Sequence, residues 1–248
     1  MNDFWLTTES AGKRVGFVHY GTTHMMWLIT FAVFTVLVCV LYRRADEKRR
    51  RWLRIALVCL LFADELFKVV CLLISDQFIP KYLPFHLCSI NIFAFAVHAF
   101  KPSKMLDNFL YTICIPASLA ALLFPTWTKL PPDSFMHIHS FTVHILLAAY
   151  PIMITASGDF HPDVRRVPKC LLLLVGMAIP VYLINLALDT NFMFLMSASK
   201  GNPLYLFEKA FGNHLIGYPV IVAAVILVLH LPIYLVRKYK EKHAQRRV

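Results

Sequence analysis

Seven apolar runs, each long or nearly long enough to cross a bilayer as a helix, constrain this chain more than any other feature. They lie at roughly 19–42, 51–75, 84–100, 106–125, 135–157, 168–189 and 214–236. A helix needs about 20 apolar residues to span the hydrocarbon. Backbone polar groups in lipid must also find partners within the protein, which favours helix over open strand. The predicted fold is all-α: a polytopic membrane protein of seven transmembrane helices. Apolar residues make up 58% of the 248, which leaves little chain for a soluble domain. The expected organisation is an extracytoplasmic segment over 1–18, one transmembrane domain over 19–236 and a basic tail over 237–248. No internal repeat is visible. Met1 to Gly16 is polar and lacks the apolar core of a signal peptide, so the first span is expected to direct insertion.

The basic residues orient the bundle. Eighteen of the 25 Lys and Arg fall in the segments 43–54, 101–104 and 158–169 and in the tail from Arg237. Six lie in the alternate loops, and Lys68 is intramembrane. By the positive-inside rule the N-terminus is outside and the C-terminus cytoplasmic, in a cell membrane. The formal charge of +11 is therefore a loop and tail charge beside apolar runs. Nucleic acid is not an expected partner, whereas membrane lipids are. Leu204-Tyr205-Leu206-Phe207, in the one long loop, reads as an interfacial segment.

The six cysteines all fall in or beside apolar runs, without a C-x-x-C pair or a zinc-like spacing. No metal or cofactor is implied. Chemistry has to come from intramembrane polar groups, which are costly enough to count as site candidates. His19, His24, His86, His137, His139, His144 and His214 map to the outer half. His98, His161, His230 and His243 map to the inner half or the cytoplasm. Asp64, Glu65 and Lys68 lie near mid-membrane, spaced for an internal ion pair. Asn185, Asp189 and Asn191 close the sixth span. Together they suggest a polar cavity opening to the outer leaflet.

Within that set, His24, His137 and His139 border the membrane, and Trp27, Trp52 and Trp127 read as interface anchors. His144 stands about nine residues into its span, with Ser140 one turn away and His137 two turns away. In Tyr82-Leu83-Pro84-Phe85-His86-Leu87-Cys88-Ser89, Pro84 is placed for a helix start. His86 then enters the membrane as an acid/base or oxyanion donor, or as a cap-region residue. Cys88 is either a nucleophile or a small core side chain.

The L-P-x-H-L-C motif at Leu83–Cys88 resembles that of the bacterial YwaF-like integral membrane proteins. His19-Tyr20-Gly21-Thr22-Thr23-His24, Ala121-Leu122-Leu123-Phe124-Pro125, His144 followed by Pro151, and Asn191-Phe192-Met193-Phe194-Leu195 extend the resemblance over residues 17–236. Distant animal relatives are seven-span enzymes that move fatty acyl chains between phospholipids with a cysteine and a histidine. The histidine corresponds to His144; the cysteine position is held here by Phe85, and Cys88 lies three residues on. What the resemblance implies is acyl transfer or hydrolysis on phospholipid. His144 would be base, His86 would stabilise charge and Cys88 would be nucleophile. Glu65, Lys68, His24 and Asn191 would shape the substrate site. A carrier using the same polar cluster for solute or protons is the alternative, and a partner protein without chemistry is a third.

Overall fold

The computed structural model describes residues 3–198 and 202–245. Lys200, one of the loop cations counted above, and the last three residues of the tail lie outside them. Nine α-helices organise the described chain, which contains no strand. They are α1 Thr22–Arg44, α2 Glu47–Ile74, α3 Leu87–Phe100, α4 Lys104–Phe109, α5 Ile115–Leu123, α6 Phe135–Ser157, α7 Val167–Leu188, α8 Leu204–Phe211 and α9 Gly217–Gln245. A five-residue π-helical turn, Leu110–Cys114, joins α4 to α5 as one element.

Six segments are long and apolar enough to cross a membrane: Thr22–Arg44, Pro80–Phe100, Lys104–Leu123, Phe135–Ser157, Val164–Leu188 and His214–Leu235. They match six of the seven expected spans to within a few residues. The expected span at 51–75 differs. It is a 28-residue helix, α2, but Asp64, Glu65 and Lys68 interrupt its apolar character. Its geometry is nonetheless that of a neighbour lying alongside α6 in the opposite direction. Near the α2 start, Arg50 Nη1 bonds Asp159 Oδ1 just past the α6 end, at 2.5 Å. Halfway along, Thr142 Oγ1 of α6 donates to Asp64 Oδ1 at 2.8 Å. Near the α2 end, Cys71 and Leu72 share a core with Phe135 and Met136 at the α6 start.

α6 is the centre of the bundle. Two-thirds of its most apolar 18-residue window is buried, against about a tenth for the corresponding windows in the spans of α1, α7 and α9. Ser134 caps it by accepting from the His137 N–H at 3.1 Å, and Gly158 ends it at φ 85°, a left-handed conformation that suits glycine. Two apolar clusters surround it. One contains Tyr42, Phe95, Phe109 and Tyr150; the other contains Phe135, Phe141, Trp127 and Leu130. The outward faces of α1, α7 and α9 expose Val33, Val36, Leu172, Leu183, Leu227 and Val228. Apolar surface so extensive suits a bilayer rather than water.

Local details depart from the sequence expectation. The helix after Pro84 begins later: Pro84 lies in a turn, and His86 is the N-cap of α3 in an extended conformation. The long loop after α7 contains α8, which buries Leu204, exposes Leu206 and Phe211, and ends at Gly212. The N-terminal segment packs back on the bundle. Gly16 N and Phe17 N both donate to Thr128 O, at 2.9 and 3.1 Å. A Cβ at Gly16 would lie 2.0 Å from Leu130 O, so only glycine allows this approach.

Candidate functional site

A cavity of about 730 Å³ opens between α2, α3, α5, α6 and the loop after α7, with the N-terminal segment at its edge. His86, Cys88 and His144 all line it, as the sequence suggested. The volume is in the range of small-ligand sites.

His144 is carried on the inward face of α6. Its Nδ1 lies 2.6 Å from the Ser140 carbonyl oxygen one turn back. A carbonyl can only accept, so in the neutral ring Nδ1 holds the proton and Nε2 keeps its lone pair. Trp127 stacks on the imidazole with ring centroids 5.4 Å apart and planes within 11°. Trp127 is 8% exposed; it is a buried wall of the site and not the interface anchor expected from its position near the chain's fourth span.

His86 has the opposite arrangement. Its Nδ1 accepts from the Met193 N–H at 3.4 Å, which places the neutral ring's proton on Nε2. Phe192 packs against the ring edge-on at 5.2 Å. The loop that supplies these contacts is held by Asn185. Its Oδ1 accepts from Phe192 N at 2.7 Å and Thr190 Oγ1 at 2.9 Å, and its Nδ2 donates to Phe192 O at 3.0 Å. Met193 and Phe194 both have positive φ, 57° and 55°, costly for non-glycine residues and sustained only by surrounding contacts. Tyr218 Oη donates to Met193 O at 2.6 Å, and His214 Nε2 to Phe194 O at 3.0 Å. Asn191, on the cavity wall, accepts from Met196 N and Ser197 N and so folds the rest of the loop.

On the α2 side, Glu65 and Lys68 form a buried ion pair. Of the two pairings open to Lys68, the i,i+3 one is adopted. Lys68 lines the cavity and lies near enough to His86 and Cys88 to interact electrostatically with both. His139 joins them. Its Nδ1 is 3.0 Å from Asp64 Oδ2 and its Nε2 3.7 Å from Glu65 Oε2, and it too lines the cavity. Sequence position suggested a membrane-edge residue; a carboxylate one helix away was the missing signal.

Two expected members lie elsewhere. His24 is fully buried, with Nε2 2.7 Å from Leu122 O and Nδ1 accepting from Tyr20 N at 2.9 Å. Both ring nitrogens are used, Nδ1 locally before α1 and Nε2 to tie the start of α1 to the end of α5, away from the cavity lining. His137 points to the same side: Nε2 accepts from Trp27 Nε1 at 2.9 Å, and Nδ1 donates to Leu130 O at 3.3 Å. It does not continue the His144–Ser140 stripe.

An all-helical, multi-pass membrane protein with an open cavity that histidines and an ion pair help to line is the class that the apolar helices and this site define. The TMEM164 family model matches residues 19–235, which include every span and every cavity residue discussed except those of the N-terminal segment. The chain belongs to the TMEM164 family. No curated protein and no solved structure matches it.

Proposed function

We propose that the cavity acts on the acyl ester of a membrane phospholipid, by transfer or by hydrolysis. The complementary tautomers carry this reading. His144 presents a lone pair at Nε2 and His86 presents an N–H at Nε2, on one cavity wall system. Ester chemistry requires that pair: a base for the attacking group and a donor for the charge that develops on oxygen. His144 is the base, and His86 stabilises charge. Cys88, on the same wall, is the nucleophile, or else activated water or a second lipid's hydroxyl serves. Lys68 and Glu65 set the field of the cavity, Asn191 shapes the loop beside the substrate, and His24 fixes the α1–α5 joint behind it.

In this reading α2 is the seventh span. It lies alongside α6, and its charges are met by Thr142, His139 and each other rather than by lipid. Paired in this way, they can be carried across a bilayer. With seven crossings the loop cations put the N-terminus outside and the C-terminus in the cytoplasm of a cell membrane. The organisation is then a short outer segment over 1–18, the bundle over 19–236 and an inner tail over 237–248.

The test is reconstitution into vesicles of phosphatidylcholine, phosphatidylethanolamine and phosphatidylglycerol, with acyl species followed by mass spectrometry. His144→Ala should lower turnover by about 100- to 10,000-fold while the protein remains folded and inserted. An acyl profile that is the same with wild-type, mutant and empty vesicles excludes the reaction.

The buried Asp64–His139–Glu65–Lys68 cluster favours a second reading, a carrier that moves protons or a small solute. Asp64 Oδ2 and Glu65 Oε2 meet only the two nitrogens of one imidazole, at 3.0 and 3.7 Å, with no further hydrogen-bond donor among the described residues, an arrangement through which a proton could pass. Uptake by protein-loaded vesicles that is lost in Glu65→Gln, without acyl turnover in the wild type, would support it over ester chemistry.

A further inference from the structure

The four side chains that meet between α2 and α6 are not placed evenly about the cavity. Lys68 and His139 line it, whereas Asp64 and Glu65 are not on the lining. Lys68 and His139 are 6% and 7% exposed. The other charged groups of the wall belong to its exposed rim. Glu9 and Lys81 pair with each other there at 3.2 Å, and Asp189 is exposed too. The buried part of the wall presents the cationic members of the cluster and holds its carboxylates off the lining.

The charge of His139 follows from its neighbours. Asp64 Oδ2 lies 3.0 Å from its Nδ1, and Glu65 Oε2 lies 3.7 Å from its Nε2. A carboxylate oxygen only accepts, so the ring carries a proton on each nitrogen. Counted with Lys68, two cations then face two carboxylates and no net charge is buried, the arrangement that costs least. Both ring protons are directed to these carboxylates, so His139 supplies fixed charge rather than a free donor.

Lys68 does have donors to spare. An ammonium has three N–H groups, and Glu65 Oε1 takes one; the others have no acceptor among the described residues. Its charge acts on His86 and on Cys88 across the cavity, and on Cys88 more strongly than Glu65 does. The ammonium is therefore the nearer of the pair to the α3 wall.

We propose that Lys68 and His139 form an anion site for a phosphate group, that of the phospholipid in the cavity. Lys68 Nζ donates to the phosphate oxygens, and the imidazolium of His139 adds to the attraction. This rests on the ester reading above, in which the phosphodiester is the anionic group that every substrate shares. The site orients the lipid, with phosphate at the α2–α6 wall and ester toward His144 and His86. It also selects phospholipids over neutral esters such as diacylglycerol.

The experiment measures binding apart from turnover, by native mass spectrometry of the full chain in detergent. The probes are a diether phosphatidylcholine, which has a phosphate and no ester, and a dialkylglycerol, which has neither. Lys68→Met combined with Glu65→Gln removes the cation without stranding its carboxylate partner. His139→Gln keeps a polar side chain between the carboxylates, so a failure of the double variant to fold leaves the test intact. The double variant should bind the diether phospholipid about 10- to 100-fold more weakly, the worth of a charged hydrogen bond. His139→Gln should show a smaller loss of the same kind, and dialkylglycerol binding should not change. Wild-type affinity for the diether phospholipid in both variants overturns the site. Equal loss for both probes assigns the pair to cavity shape and overturns it as well. Inorganic phosphate that binds as tightly as the lipid, and is lost in the same variants, keeps the anion site and overturns the lipid as its source. A wild-type chain that shows the phosphate preference but no acyl turnover removes the ester reading and leaves the anion site standing.

Discussion

His98 packs against α6 and His144 is carried on it, and their surroundings differ. His98 is 1% exposed. Its Nε2 meets Asp107 Oδ1 at 2.7 Å, and its Nδ1 meets Tyr150 Oη at 2.9 Å. Both nitrogens are satisfied, and the pocket they occupy is filled by Tyr150 and Phe95, whose rings are 4.7 Å apart. His144 has one nitrogen bonded and the other without a partner among the described residues, beside a cavity. His144 is only half-buried, so the two differ in exposure as well as in bonding: one is filled in on all sides, and the other keeps an unfilled valence next to open space.

Exchanging the two losses tests that contrast most strongly. His144→Ala should remove acyl turnover by several orders of magnitude while changing the unfolding temperature little. His98→Ala should do the reverse. It strands the Asp107 carboxylate and the Tyr150 hydroxyl in the core and leaves a void, together about 2–4 kcal/mol. That corresponds to a fall of roughly 4–16 °C in Tm for a domain of this size, read by thermal unfolding in detergent, with turnover per folded molecule preserved. Loss of turnover in His98→Ala at low temperature, where the variant is folded, would break the distinction.

Asn185 sharpens it from the side of the loop. Asn185→Ala removes three bonds to the 190–192 segment, each worth about 1 kcal/mol net. Those bonds hold Met193 and Phe194 at positive φ. Freed of them, the loop relaxes and the Met193 N–H leaves His86 Nδ1, so the His86 tautomer is no longer fixed. Turnover should fall about tenfold, with a Tm loss of roughly 6–12 °C from the about 3 kcal/mol of lost bonding. Wild-type turnover per folded molecule beside that Tm loss would mean that the loop serves the fold and not the site.

Much of this architecture is legible in sequence because lipid imposes length and apolarity on every crossing helix. Six spans fall within a few residues of where hydropathy puts them, and the seventh fails only by three charges. Those charges show the limit. Hydropathy counts Asp64, Glu65 and Lys68 one residue at a time, whereas their cost depends on Thr142 and His139, which belong to another helix 78 and 75 positions away from Asp64 in the chain. The cavity histidines were legible by depth: His86 and His144 are both on its wall. His24 and His139 exchange roles because depth alone does not say which way a ring faces. Trp127 was misread for a related reason. Tryptophan near a span end is usually an anchor, and only the stack on His144, made through a loop folded back by Gly16, shows otherwise.

The smallest effect expected is at the far end of α6. Tyr42 Oη donates to Asp159 Oδ2 at 2.9 Å and accepts from Arg54 Nη1 at 2.6 Å, while Arg50 lies over the Tyr42 ring at 5.2 Å. This cluster ties α1, α2 and the end of α6 together, as the His98 group ties α3 and α4 to its middle. Tyr42→Phe keeps the ring and its stack and removes one hydroxyl. Asp159 Oδ2 loses its donor while Oδ1 stays paired with Arg50, and Arg54 Nη1 loses its acceptor. A loss of about 1 kcal/mol is expected, or roughly 2–4 °C in Tm, with turnover unchanged. A drop in turnover from this position would show that the two ends of α6 are coupled, and the division between a filled structural network and an open reactive one would then have to be abandoned.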